Sequence, residues 1–333
     1  MSWVEKLLTV RNLKVYFPTP DGTIKAVDDI SFDLQPKETL AIVGESGCGK
    51  SVTAQSIMGL IKSPPALVEG SIKFNGVEIL KSKEIENVRG KKISMVFQEP
   101  MASFDPLYTI GYQLSEVAMK HLNVNRQKAR ELCIELLKRV HIPEAEKRFD
   151  EYPHQMSGGM LQRVMIALAL LTKPDIVIAD EPTTALDVTI QAQVLNLLNE
   201  LKEEFKMSTI FITHDLGIVA EIADNVIVMY AGKIVERAPV TKLFKKPLHP
   251  YTMGLLESKI KDAQKGKELP YIPGFVPSSS EIPSGCAFHP RCKFKMKICE
   301  EKEPDELKIE DRSVKCHLYN KANLSEQAEV IVK

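Results

Sequence analysis

Apolar positions along the chain follow two periods, and where one gives way to the other marks out the elements. Leu7 to Phe17 is rich in β-branched and aromatic residues, Asp21-Gly22 interrupts it, and Ile30 to Leu34 alternates apolar with polar. This pattern predicts strands joined by a turn, paired as a mostly antiparallel edge sheet. Leu40-Ala41-Ile42-Val43 is a short continuous apolar run that enters a glycine-rich loop, and a helical stretch from Lys50 to Ile61 follows it. Buried strand, loop and helix are expected in that order. After the break at Ser63-Pro64-Pro65, strands are expected around Ser71 to Phe74 and Ile93 to Phe97, the second ending at Gln98.

From about Pro106 to Thr172 the period becomes helical, with Leu132, Leu136, Leu137 and Val140 on one face of the segment beginning near Arg126. A helical subdomain over about 106–172 is therefore expected, inserted into a sheet domain. Strands return at Ile176 to Ala179 and Thr209 to Ile212, separated by a helical stretch from Gln191 to Phe205. That alternation implies parallel strands with crossover helices, an α/β core. Beyond His249-Pro250-Tyr251, Pro270, Pro273, Pro277 and Pro283 mark a linker. The expected domains are 1–250 and a small irregular cysteine-rich domain over 251–333, with the boundary between about 245 and 285. The region over 1–250 shows no internal repeat.

Composition narrows the classes. The 333 residues are 44% hydrophobic and 26% charged, ordinary for a soluble globular protein with a substantial core. Forty-four basic residues balance forty-four acidic ones, so no global field draws nucleic acid or an anionic membrane. Met1 to Lys6 lacks the features of a secretory signal, and a cytoplasmic protein is expected. The longest apolar run, Val164 to Leu171, falls far short of the roughly 18 to 20 residues that cross a bilayer. Any membrane association must go through a partner.

The loop Gly44-Glu45-Ser46-Gly47-Cys48-Gly49-Lys50-Ser51 carries the first chemistry. Its glycines let backbone N–H groups and the following helix N-terminus face phosphate oxygens, Lys50 neutralises them, and Ser51 is placed to ligate Mg²⁺. Ile176 to Ala179 delivers Asp180 and Glu181 at a strand's C-terminal end, where ligands bind in open α/β sheets. Asp180 is expected to hold Mg²⁺ through water, and Glu181 to polarise an attacking water. Gln98 and His214 end other core strands on the same edge; Gln98 suits the metal or the lytic water, and His214 the γ-phosphate. Ser157-Gly158-Gly159 opens an apolar helix and offers a second anion site, although plain N-capping by Ser157 accounts for it equally. Two phosphate-binding helix starts in one chain imply that the second serves another subunit's nucleotide.

Taken together, residues 7 to 250 resemble the ATP-binding-cassette ATPases, with a RecA-like P-loop core, an antiparallel β edge and an inserted helical subdomain. The family's phosphate loop, glutamine loop, signature loop, carboxylate strand and switch histidine match at 44–51, 98, 157–159, 180–181 and 214, and Thr184-Ala185-Leu186-Asp187 looks like its dimer-contacting loop. The resemblance implies an aromatic ring against adenine, Phe17 or its neighbour Tyr16. Many members read Leu-Ser-Gly-Gly-Gln where this chain reads Met156-Ser157-Gly158-Gly159-Met160, but the phosphate-contacting core is intact. That departure, His249-Pro250-Tyr251-Thr252 and Ile282 to Cys292 resemble the ATPase subunits of oligopeptide and dipeptide importers. The resemblance implies ATP and Mg²⁺, a second homologous ATPase subunit or a second copy, two membrane permeases, an external peptide-binding protein and a peripheral place on the cytoplasmic face of the membrane. Nickel or another small solute is the alternative cargo.

Cys286, Cys292, Cys299 and Cys316 are separated by five, six and sixteen residues. Structural zinc usually takes cysteine pairs two to four residues apart, which no gap here provides. Four thiolates at loose spacing favour a [4Fe-4S] cluster, with Zn²⁺ or free thiols as alternatives and His289 and His317 as lesser candidate ligands. Such a group would staple a tail with little core of its own. A DNA-repair cassette ATPase is the rival class; it would interrupt the cassette with a coiled coil or zinc modules, whereas about 130 residues without sustained heptads join Lys50 to Asp180.

Overall fold

The computed structural model describes residues 6–184, 186–258, 271–278 and 280–320. Two sheets form the frame. The first is antiparallel, in the order β2-β1-β4-β5, built from β1 (Leu8–Thr19), β2 (Gly22–Leu34), β4 (Leu67–Phe74) and β5 (Val77–Glu78). The second has eight strands and begins with β3 (Thr39–Val43), which follows β2 directly. Its parallel part runs β9-β3-β8-β7-β6, made of β6 (Ile93–Val96), β7 (Ile176–Asp180), β8 (Ser208–Thr213) and β9 (Asn225–Tyr230). β3, β6, β7 and β8 are buried throughout, which explains their continuous apolar runs in place of alternation.

Helices cover both faces. α1 (Lys50–Ile57) leaves β3 through the glycine-rich loop. It ends four residues short of the expected Ile61 because Met58 caps it and Gly59 turns left-handed at φ 62°. Short helices α2 (Glu84–Val88) and α3 (Pro100–Ser103) flank β6, and the expected helical insertion follows as α4 (Ile110–Leu122), α5 (Arg126–Arg139), α6 (Ala145–Phe149) and α7 (Gly158–Leu170). The side-chain hydroxyl of Thr109 caps α4, the Asn125 amide caps α5 and the Ser157 hydroxyl caps α7. α8 (Val188–Phe205) and α9 (Leu216–Ile222) cross back to β8 and β9, each opened by an aspartate cap, Asp187 and Asp215.

One core fills the space between the antiparallel sheet and the parallel strands, with Phe32, Ile42, Ile178, Ile210 and Ile212 at its centre. A second packs the helical insertion, through Leu137, Leu161 and Ile166, against Val177, Phe211 and α8. The expected strands around 7–17, 30–34, 40–43, 71–74, 93–97, 176–179 and 209–212 and the helical insertion are present, whereas β9 (Asn225–Tyr230) and α9 carried no expectation.

The tail departs from a freestanding domain. After β10 (Lys233–Pro239), α10 (Val240–Lys245) and α11 (Pro250–Glu257), the chain forms α12 (Ile298–Glu301), β11 (Glu306–Ile309) and β12 (Arg312–Lys315). β12 pairs antiparallel with β10, so β12 and β11 extend the main sheet. Phe288 packs on Tyr230 and Tyr251 in a third core shared by β9, β10, α11 and the tail. The segment with too little core for itself borrows the cassette's.

Candidate active site

The glycine-rich loop lies between β3 and α1 against the end of β9, and two of its glycines are obligatory. A Cβ at Gly44 would stand 2.3 Å from the Met229 carbonyl oxygen, and one at Gly49 2.3 Å from that of Ala26. Both residues also have positive φ, 154° and 101°, so the loop turns where side chains do not fit. Its free N–H groups and the start of α1 are left facing a cavity of about 600 Å³. Glu45, Ser46, Gly47, Gly49, Lys50, Ser51, Gln98, Glu181 and His214 are among the lining residues.

Lys50 is buried, and its ammonium donates to the carbonyls of Gly44 at 2.8 Å and Glu45 at 3.1 Å while lying 3.9 Å from Glu181 Oε1. Ser51 Oγ donates to Asp180 Oδ1 at 3.0 Å, although 129 residues separate them. Burial pushes the Asp180 carboxyl up, against the Ser51 hydrogen bond that pulls it down. Glu181, at the left-handed φ of 45°, receives Thr184 Oγ1 at 3.0 Å and Gln98 Nε2 at 3.2 Å, with His214 Nδ1 3.4 Å away. Ends of β3, β6, β7 and β8 thus deliver every side chain expected around the γ-phosphate to one edge of the sheet.

Ser51 and Asp180 are hard oxygen donors already gathered beside Gln98 Nε2's partner Glu181, a donor set that fits Mg²⁺ and not a soft metal. Cys48, inside the loop, is fully buried and its thiol is pushed up by burial, so it is packing and not a reactive group.

Ser157, Gly158 and Gly159 lie elsewhere. They do not line this cavity; Ser157 and Gly158 are exposed at the start of α7, and a Cβ at Gly158 would meet nothing. Ser157 Oγ accepts the Met160 N–H at 3.3 Å, so the N-cap is present. Gly159 has a packing reason of its own, because its Cβ would press Ile190 of α8 at 2.9 Å.

Neither aromatic candidate lines the phosphate cavity. Tyr16 is already engaged: its hydroxyl donates to Asp28, which also pairs with Lys233 at 3.1 Å. Phe17 rests half-buried on the edge of the antiparallel-sheet core.

Sequence reasoning missed two residues that reach the loop from far along the chain. Tyr251 Oη accepts the Glu45 N–H at 2.9 Å, and Arg291 holds the Glu45 carboxylate through both guanidinium nitrogens at 2.8 and 3.0 Å. The signal available was their place in the two segments that mark the importer subfamily.

The four tail cysteines are free thiols. Burial pushes the Cys286 thiol up to about 11 and Cys316 to about 12, and each is raised further by its neighbours among the four. They lie within electrostatic reach of one another, yet among the described residues no three His, Cys, Asp or Glu side chains are gathered closely enough to hold a metal ion. The expected metal site is therefore not assembled among the described residues.

Comparison with known proteins agrees with this geometry. A family model described as ABC transporter matches residues 27–184, and one described as the oligopeptide/dipeptide transporter C-terminal region matches 235–299. The chain is 50% identical over 300 residues to the oligopeptide transport ATP-binding protein OppD of Salmonella typhimurium, covering 90% of this chain and 89% of that one. It is 48% identical over 321 residues to the dipeptide transport ATP-binding protein DppD of Bacillus subtilis, covering 95% and 96%. Among solved structures, a dimeric ATP-binding cassette in a post-hydrolysis state bound to ADP and Pi superposes with a TM-score of 0.63 at 26% identity, over 70% of this chain and 98% of that one. The cassette cbiO1 of Clostridium perfringens, part of the transporter complex cbiONQ, gives 0.61 at 30% identity, over 72% and 91%.

Proposed function

The chain belongs to the ATP-binding-cassette family, as an ATP-hydrolysing subunit of oligopeptide and dipeptide import, and from that premise we propose how its residues divide the work. One observation carries the reading: Lys50, Ser51, Gln98, Glu181 and His214, delivered by four strand ends, line one cavity, while the exposed Ser157 loop lies outside it. Each chain contributes two half-sites and completes neither. ATP lies between the Lys50 loop of one ATPase subunit and the Ser157 loop of the other, as the dimeric state of a related cassette supports.

In that arrangement the loop N–H groups and Lys50 bind the β and γ phosphates. Ser51 and Asp180 hold Mg²⁺, which when bound neutralises phosphate charge. Glu181 accepts the proton of the attacking water; Gln98 and Thr184 orient its carboxylate, and His214 stands beside it to meet the γ-phosphate. An aromatic ring, Phe17 or its neighbour Tyr16, takes the adenine.

The partners we infer are two permeases, a second ATPase subunit that is either a homologue or another copy, and an external peptide-binding protein. Among the described residues no helix is long and apolar enough to cross a membrane, which supports docking from the cytoplasmic face through the permeases. We infer a division at about residue 250 into a cassette and an importer-type tail, supported by the match of residues 235–299 to the oligopeptide/dipeptide transporter C-terminal region. In the tail we infer a [4Fe-4S] cluster on Cys286, Cys292, Cys299 and Cys316, from four cysteines at loose spacing in one segment, with Zn²⁺ as the alternative. Anaerobically purified protein is expected to be brown, with about four irons per chain; a colourless preparation with stoichiometric zinc overturns this.

The functional reading is tested by turnover with and without membranes that contain candidate peptide permeases. Stimulation by permease and none by DNA is expected. Stimulation by DNA alone sinks the import mechanism.

A further inference from the structure

Glu45 is the only residue between Gly44 and Ser46, yet it is held at three points. Its carbonyl accepts from Lys50 at 3.1 Å, its N–H donates to Tyr251 Oη at 2.9 Å, and its carboxylate receives both terminal nitrogens of Arg291 at 2.8 and 3.0 Å. Two of the three anchors come from beyond residue 250, across sequence separations of 206 and 246. Arg291 is built for this task. Its side chain is 5% exposed, Nε donates to the Pro273 carbonyl at 2.9 Å, and its guanidinium lies over the rings of Tyr230 and Phe288 at 5.8 and 6.0 Å. The pair satisfies a buried cation and fixes the fork geometry that arginine, unlike lysine, offers a carboxylate.

The electrostatics make the arrangement consequential. Glu45 lines the same cavity as Lys50 and Ser51, so its carboxylate stands beside the place where phosphates bind. An unpaired carboxylate there repels them and competes for Lys50. We propose that Arg291, assisted by Tyr251, is a positioning residue for ATP: the importer-type tail neutralises and locks Glu45, and so sets the nucleotide affinity of the phosphate loop from outside the cassette.

The pair is set in a small lattice of supports. Tyr251 sits at the start of α11, where the ring nitrogen Nδ1 of buried His249 accepts its N–H at 3.0 Å, and its ring packs on Tyr230 and Phe288. Arg291 lies one residue before Cys292. Among the described residues, Tyr251 and Arg291 therefore reach the phosphate loop through packed side chains.

The experiment measures ATP affinity, KM and kcat of the full-length chain, with thermal unfolding as the folding control. Arg291→Met is expected to raise Kd and KM for ATP about tenfold while kcat changes little, the signature of lost ground-state binding. Adding Glu45→Gln to it removes the stranded charge and is expected to restore affinity to within about threefold of the parent. Unchanged Kd in Arg291→Met, or a double variant as weak as Arg291→Met, overturns the proposal. If Arg291→Met does not fold, Tyr251→Phe decides: it keeps the ring packing and is expected to raise KM about threefold through the lost hydrogen bond, and an unchanged KM overturns the proposal.

Discussion

Glu181 sits where one side chain decides between binding and turnover. Gln98, Thr184 and His214 all approach its Oε2, while Lys50 approaches Oε1, so the carboxylate is oriented from both sides. Replacing it by glutamine keeps the shape and removes the base. Glu181→Gln is expected to bind ATP normally while turnover falls by about a hundredfold or more; filter binding and phosphate release measure the two, and undiminished release would remove Glu181 from the role. His249 gives a second residue-scale prediction, this one of stability. It is wholly buried, and burial lowers its pKa from 6.5 to about 3. The unfolded chain therefore binds a proton between those values that the native chain refuses. Its contribution is complete above about pH 6.5 and is lost as pH falls towards 3, at a slope of up to about 1.4 kcal/mol per pH unit. Urea midpoints at pH 7.5 and 5.5 are expected to differ for the parent and to draw together in His249→Gln.

At the scale of elements, close approach sets the limits. Gly111 in α4 faces the ring of Phe149 in α6, and a Cβ there would lie 2.1 Å from Cε1. Gly111→Ala is expected to cost about 1–3 kcal/mol through overpacking of the helical insertion, read as a lower urea midpoint with ATP affinity kept. The order and type of the cassette elements were legible because apolar runs of four to six residues mark buried parallel strands and a 3.6-residue period marks the insertion. Ends were less legible. The α1 stop at Ile57 depends on Gly59, which a periodicity scan passes over. β11 and β12 were illegible for a different reason: four residues each, too short for a period to show, they are strands only because β10 offers an edge to pair with.

For the whole molecule, the separation of the Lys50 cavity from the exposed Ser157 loop means that turnover is a property of an assembly. Turnover per chain is expected to be near zero at high dilution and to rise as the chain pairs with a second ATPase subunit or joins permeases in a membrane. A rate per chain that ignores both concentration and permeases would place a complete site in one chain. By itself the sequence determined the chemistry of each half-site, because phosphate binding after a strand demands particular residues at fixed local spacing: Gly44 to Ser51, Ser157 to Gly159, Asp180-Glu181. Tertiary structure alone decided what holds the loop in place. Arg291 and Tyr251 sit in segments that mark the importer subfamily, but their pairing with Glu45 could not be read there, since a buried ion pair or hydrogen bond across 246 or 206 residues leaves no period behind. It becomes visible only when the tail, with only a small core of its own, folds onto the cassette and brings a buried cation to the one loop carboxylate that needs it.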